Sequence, residues 1–187
     1  MSDALLDHSG PWTEDDYLAL DRSNSRVELI DGSLLVTPSA NGPHQRISRQ
    51  LDHIIGPSAH EAGREILATL NVRLGPNRIL IPDLAVGTYP EIFTYAEASM
   101  VLLVCEITSP GNAVQDRSAK LHYYAAAKIP WYLLVEPDLT TYKSITLRLL
   151  RLDGDEYREH VTAEHGETLT SSEPFPFSIS TEELLEW

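Results

Sequence analysis

Two short apolar runs, each interrupted by one carboxylate, constrain this chain more than any other feature. The first is Ile79-Leu80-Ile81-Pro82-Asp83-Leu84-Ala85-Val86; the second is Met100-Val101-Leu102-Leu103-Val104-Cys105-Glu106-Ile107-Thr108. Aliphatic and β-branched residues bounded by Pro and Gly read as strands. The second run is apolar on both faces, as a central strand covered on each side requires. A carboxylate on such a strand needs a partner or a metal ion, because an unpaired buried charge is very costly. Two oxygen ligands from neighbouring strands suit a hard divalent cation, Mg2+ or Mn2+. A structural alternative stands beside this: backbone N–H groups could satisfy Asp83 at a strand end, and an Arg could pair with Glu106. For either residue alone that alternative is preferred. For the pair, joined by the further candidates below, the site reading gains weight.

The rest of the chain supplies the frame. Thr13 reads as the N-cap of a short helix with Asp16 in its capping box, and Tyr17, Leu18 and Leu20 as its apolar anchors. Arg26 to Val36 reads as a tight hairpin across Asp31-Gly32, a dipeptide suited to the left-handed backbone of a two-residue turn. Glu28 lies in its first strand. On an exposed edge it is unremarkable; facing the core it is a third acidic group. His44, Ile47, Leu51, Ile54 and Ile55 recur at helical spacing over 44–55. His44 opens that buried stripe, where a lone His is ordinarily a satisfied structural residue, and that reading stands first.

Residues 65–74 and 79–86 are expected as two strands joined at Gly75-Pro76-Asn77, and with 100–108 they form the sheet core. Pro110-Gly111 breaks the chain. Asn112 then caps a helix running to about Lys128, on which Asp116, Lys120 and Tyr124 share a line at steps of four. Asp116 with Lys120 alone is an ordinary surface pair of little energetic weight. Trp131 to Val135 is a further buried strand, parallel to the 100–108 strand across the intervening helix. Residues 145–161 read as a hairpin across Asp153-Gly154, 174–178 as irregular, and 181–187 as a short closing helix. The expectation is one α/β domain spanning 1–187, with a mixed sheet, the Asp83 and Glu106 strands side by side, and helices on both faces.

These residues also carry a resemblance. Pro82-Asp83, followed by Glu106-Ile107-Thr108 at the end of an apolar strand, resembles the PD-(D/E)XK nuclease signature. More closely, Val104 to Pro110, followed by Asp116, Lys120 and Tyr124, is similar to the Uma-two family of bacterial restriction-endonuclease-like proteins. The Glu28, Asp31-Gly32 and His44 positions match that family's early hairpin and following His. The match spans roughly residues 13–137. It implies a restriction endonuclease-like fold and a Mg2+- or Mn2+-dependent endonuclease. It also implies a metal held by Asp83, Glu106 and the Ile107 carbonyl, with Glu28 as an outer or second-metal ligand. Thr108 stands where the signature places its catalytic Lys and cannot supply that charge, so the resemblance moves the role to Lys120. Lys128 stands where family members often place Gly, which bears on the local turn.

Charge argues the other way. The chain carries a net charge of −14, whereas phosphate affinity comes largely from Lys and Arg. Its three Lys are Lys120, Lys128 and Lys143; Arg46, Arg49, Arg64, Arg73 and Arg78 offer the material for a basic face. The competing reading is therefore a catalytically inactive nuclease-fold module that binds or interacts. A sugar hydrolase, which also uses two carboxylates, ranks below both for want of an aromatic-lined cleft. There is no Gly-rich phosphate loop and no closely spaced His or Cys set for zinc. Cys105 is expected as a buried thiol. No run approaches a membrane span, and Met1-Ser2-Asp3 lacks the parts of a signal peptide, so the default location is cytoplasmic. The expected partner is nucleic acid, DNA, with no membrane. A homodimer is a further expectation, with 142–150 as its pairing surface, because duplex scission needs two sites or one used twice.

Overall fold

The computed structural model describes residues 8–20, 26–37, 40–109 and 115–187. Asn112 and the side chain of Asp116, read above as a helix cap and as the surface partner of Lys120, lie outside the described residues. The elements are α1 (Glu14–Leu18), β1 (Arg26–Ile30), β2 (Ser33–Thr37), α2 (Gly42–Glu61), β3 (Glu65–Ala68), β4 (Val72–Gly75), β5 (Arg78–Leu80) and β6 (Leu84–Gly87). They continue with β7 (Ala96–Glu97), β8 (Val101–Ile107), α3 (Gln115–Ala126), β9 (Trp131–Pro137), β10 (Ile145–Asp153), β11 (Glu156–Ala163), β12 (Thr168–Ser171) and β13 (Phe177–Ser180). The fold is mixed α/β, as the alternating strand and helix signals require.

The expected single core sheet is corrected to two mixed sheets, ordered β2-β1-β5-β4-β7 and β11-β10-β9-β8-β6-β3. Residues 65–74 are two strands rather than one, and so are residues 79–86; each run contributes one strand to each sheet. The first run breaks at Thr69, a β-branched residue held at φ 53°. The second breaks at Ile81-Pro82-Asp83, where Pro82 brings no ladder donor. The two breaks lie together, since the Thr69 N–H donates to the Asp83 carbonyl at 3.3 Å. Asp83 thus sits at the seam between the sheets.

Around that seam the expected pairings hold. Strand β6 lies antiparallel beside β8, with Leu84 opposite Cys105, so the Asp83 and Glu106 segments are neighbours. Strand β8 runs parallel to β9 across α3. Alternation along β8 feeds two cores. Leu103, Cys105 and Ile107 pack with Ile47, Leu51 and Ile55 of α2, while Val104 packs with Tyr124, Tyr132 and Val72 on the α3 side. Helices therefore cover both faces, and Cys105 is a free, buried thiol.

Several local expectations are refined. The capping box of α1 forms as read. The β1–β2 turn has Asp31 at φ 50° and Gly32 at φ 83°, the backbone that an Asp-Gly pair favours. Helix α2 is longer than expected, from an Asn41 cap through an internal Pro57 to Glu61. Pro57 is exposed while Ile55 and Ala59 are buried, so the lost hydrogen bond falls on the wet face and the stripe continues past it. Lys128 occupies the left-handed region at φ 62°, the conformation for which Gly is the usual residue. Its Nζ donates to the Gly154 carbonyl at 3.0 Å and to Asp155, which ties the end of α3 to the β10–β11 turn. Of residues 174–178, read as irregular, Phe177 and Ser178 belong to β13, which pairs with β12. The closing helix is a single 3-10 turn over Glu183–Leu185.

The surface proposed for dimer pairing is corrected. Strand β10 is flanked on one side by β9 and on the other by β11, and Ile145, Leu147 and Leu149 are buried in the core. No free strand edge remains there. No helix among the described residues is long and apolar enough to cross a membrane.

Candidate active site

Five segments converge on the seam. Strand β1 presents Arg26 and Glu28, two residues apart and so on one face. The other face of β1 turns Val27 and Leu29 toward Tyr17 and Ile79. The β5–β6 link supplies Asp83, the end of β8 supplies Glu106, and α3 supplies Lys120 and Tyr124, one helical step apart. His44 enters from the first turn of α2, held by the Asn41 side chain accepting its N–H at 3.0 Å. Glu28 is 0% exposed, Asp83 3% and Lys120 4%, so these charges have only one another and the backbone for solvation.

Hydrogen bonds knit them into one network. Lys120 Nζ donates to Glu28 Oε1 at 2.9 Å and to Glu106 Oε1 at 3.3 Å. Glu28 Oε1 also accepts the Ile81 N–H at 2.8 Å, and Tyr124 Oη donates to Glu106 Oε1 at 2.7 Å. Asp83 Oδ2 accepts the Ile107 N–H at 2.7 Å and lies 3.2 Å from His44 Nε2. Asp83 Oδ1 accepts from Arg26 Nη1 at 2.5 Å. The same guanidinium reaches toward Glu28 and Glu106 at 4.0 and 3.9 Å.

The surroundings set each charge. Burial pushes the Glu106 carboxyl up to about 7; Asp83 and Glu28 add to the rise, and Lys120 and Arg26 oppose it. Burial also works against ionised Asp83. The His44 hydrogen bond, the Arg26 charge and the Ile107 N–H outweigh it and hold Asp83 well below the usual carboxylate range. Burial disfavours the Lys120 charge, yet Glu106 and Glu28 more than compensate, so its ammonium is held more firmly than usual. Burial, then the neighbouring carboxylates, push the Tyr124 phenol well above its ordinary value. Lys120 and Tyr124 are therefore proton-bearing donors, and Glu106 is the group that titrates near neutrality.

The Uma2 family profile, described as putative restriction endonuclease, matches residues 14–183. The chain belongs to the Uma2 family. Its fold is similar to that of a putative nuclease from Anabaena variabilis known from a crystal structure, at a TM-score of 0.66 and 18% identity. That likeness covers 94% of this chain and 98% of the other. No curated protein matches the chain.

In this Uma2 chain the residues singled out from sequence all meet: Glu28, His44, Asp83, Glu106 with the adjoining Ile107, and Lys120. The bland reading of Lys120 as a solvated surface residue is corrected by its burial against Glu28 and Glu106. For His44 the contact with Asp83 joins it to the cluster. One member carries little signal in the sequence: Arg26 reads as the ordinary start of a strand. Its signal was the two-residue spacing from Glu28. Two of the Arg residues that offer material for a basic face are paired with carboxylates, Arg73 with Glu14 and Glu97, and Arg78 with Asp31.

The donor set suits a hard divalent cation in kind, because the seam gathers three carboxylates and Glu28 Oε2 is buried there without a partner. Internal cations nevertheless already face all three carboxylates. Among the described residues no group of three or more His, Cys, Asp or Glu stands ready as a metal cage, and Arg26 and Lys120 supply the cations instead.

Proposed function

We propose that this Uma2 chain is a Mg2+- or Mn2+-dependent endonuclease that hydrolyses phosphodiester bonds in DNA. The observation that carries this reading is the single, largely buried cluster of Asp83, Glu106, Glu28 and Lys120. Residues separated by up to 92 positions are joined there by hydrogen bonds. Scattered structural carboxylates have no reason to share one ammonium.

Asp83, Glu106 and the Ile107 carbonyl would hold the metal, with Glu28 beside them. Bound there, a divalent ion supplies charge neutralisation at the attacked phosphate and an activated water. Lys120 is positioned by Glu28 and keeps its proton, so it stabilises the charge that develops on phosphate oxygens and does not act as a base. Tyr124 orients Glu106 through its hydroxyl. His44 packs against Asp83 Oδ2 and fixes the carboxylate plane, which makes it a positioning residue.

A second reading rests on Arg26. A cluster that neutralises itself with two internal cations suits a nuclease-fold module that binds without cleaving, and the net charge of −14 agrees with it. Cleavage of plasmid and single-stranded DNA by pure protein in Mn2+, beside Asp83→Asn, separates the two. Cleavage lost in the variant supports the endonuclease; a parent inert on every nucleic acid supports the module.

A further inference from the structure

Arg26 is bound less well than a structural arginine should be. A guanidinium has five donors in a planar fork and normally meets a carboxylate through two parallel hydrogen bonds. Here one short bond reaches Asp83 Oδ1, while Nε and Nη2 are buried with no partner. Both orphan nitrogens face carboxylates at about 4 Å, beyond hydrogen-bond length. Across from them Glu28 Oε2 is also unpartnered. The cation thus stands centrally among three carboxylates and closely beside one. This is the placing of a counter-ion for the whole group rather than of half an ion pair.

We infer that Arg26 is an exchangeable internal counter-ion, which holds the carboxylates of the metal-free protein together and gives way when a divalent cation takes Asp83 and Glu106. This deepens the endonuclease reading and rests on it. Asp83 Oδ1 carries the Arg26 bond at 2.5 Å, and a divalent ion on that carboxylate stands as a like charge beside the guanidinium, so the ion and the close Arg26–Asp83 contact oppose one another. The cost of turning Arg26 out is subtracted from the intrinsic affinity of the carboxylates for metal. Lys120 differs in kind. It bonds Glu28 and Glu106 on their Oε1 atoms and leaves Asp83 and the outer oxygens free, so it stays in place while Arg26 departs. The arrangement keeps three closely grouped carboxylates from repelling one another before metal arrives, and it makes metal affinity a property tuned by one arginine.

The test pairs two measurements on the full chain. Calorimetric titration compares Mn2+ binding by the parent and by Arg26→Gln. Removing the competing charge raises affinity by about tenfold or more, equivalent to about 1.4 kcal/mol, and Mn2+ recovers more thermal stability in the variant than in the parent. Should Arg26→Gln fail to fold, the parent decides alone. The Arg26 side-chain NMR signal, assigned by its loss in Arg26→Lys, is protected from exchange in chelator and loses that protection on saturation with Mg2+. Equal or weaker Mn2+ affinity in a folded Arg26→Gln, or an Arg26 signal unmoved at Mg2+ saturation, overturns the inference and leaves the endonuclease reading intact. A parent that binds neither ion overturns both.

Discussion

Lys120 Nζ lies 2.9 Å from Glu28 Oε1, bridging a helix of one half of the chain to a hairpin of the other. Both residues are removed from solvent, so the pair holds α3 against β1 as well as placing a charge in the site. Structure and chemistry are inseparable at this position, and variants must be read with both in mind.

Glu106→Gln is the cleanest probe of metal binding. The amide keeps the shape and an acceptor for Tyr124 Oη, and burial already disfavours the ionised carboxyl that it replaces. Mn2+ affinity is expected to fall sharply while the thermal unfolding midpoint near neutral pH stays at or above that of the parent. Calorimetry and a melting curve measure both. Unchanged affinity would make Glu106 structural.

Asp83→Asn behaves differently. It removes the charge that Arg26 neutralises and leaves the guanidinium with only a neutral amide oxygen as its close acceptor. Breaking a buried pair in this way typically costs about 3–5 kcal/mol. Denaturant unfolding should show a loss of that order, alongside lost Mn2+ affinity. A loss under 1 kcal/mol would mean that Arg26 finds another partner.

Much of this site was legible in the sequence, and the failures have physical reasons. Asp83, Glu106 and Glu28 were visible because each breaks an apolar pattern where strand alternation demands a hydrophobic residue. Arg26 broke no pattern. At the mouth of a strand a charged residue is ordinary, and only the period of two, which sets it beside Glu28, marked it. The two-sheet split was hidden because apolar residues resume directly after each break, at Val72 and at Leu84, so each run reads as one strand. Sequence records hydrophobicity, whereas the switch between sheets is made by backbone at Thr69 and Pro82. The inward turn of Lys120 was open for a similar reason: its line on α3 borders the apolar stripe, and only the Glu28 and Glu106 carboxylates decide the direction.

The metal-free protein should lose stability as pH rises toward neutrality. Glu106 is raised from an ordinary 4.5 to about 7 in the fold, so between those values the native state holds a proton that the unfolded chain has released. Stability from this group is full below pH 4.5 and gone above about 7, a change of at most about 3 kcal/mol. Asp83 runs opposite: depressed in the fold, it contributes above its ordinary 3.8, and that contribution is lost as pH falls further. Urea unfolding of the parent and Glu106→Gln in chelator isolates the first limb. The two curves should converge below pH 4.5 and separate above it, with the variant gaining on the parent. Parallel curves would show that Glu106 does not titrate there.

Binding and chemistry separate at Lys120. Lys120→Met keeps the length of the side chain and removes the charge, leaving Glu28 and Glu106 without their shared ammonium. The stability cost should therefore be that of a broken buried pair, about 3–5 kcal/mol, rather than the under 1 kcal/mol of a surface residue. Metal affinity should hold or rise, because a like charge has left the neighbourhood of Glu106. Bound Mn2+ should then return part of the lost stability, by mass action on the folded state. Cleavage should nevertheless fall about a hundredfold or more, the usual consequence of losing one transition-state donor. Rates must be compared with both proteins folded and saturated with Mn2+. A Lys120→Met that cleaves as fast as the parent, beside an inactive Asp83→Asn, would remove Lys120 from the chemistry and leave it as the clasp between α3 and β1.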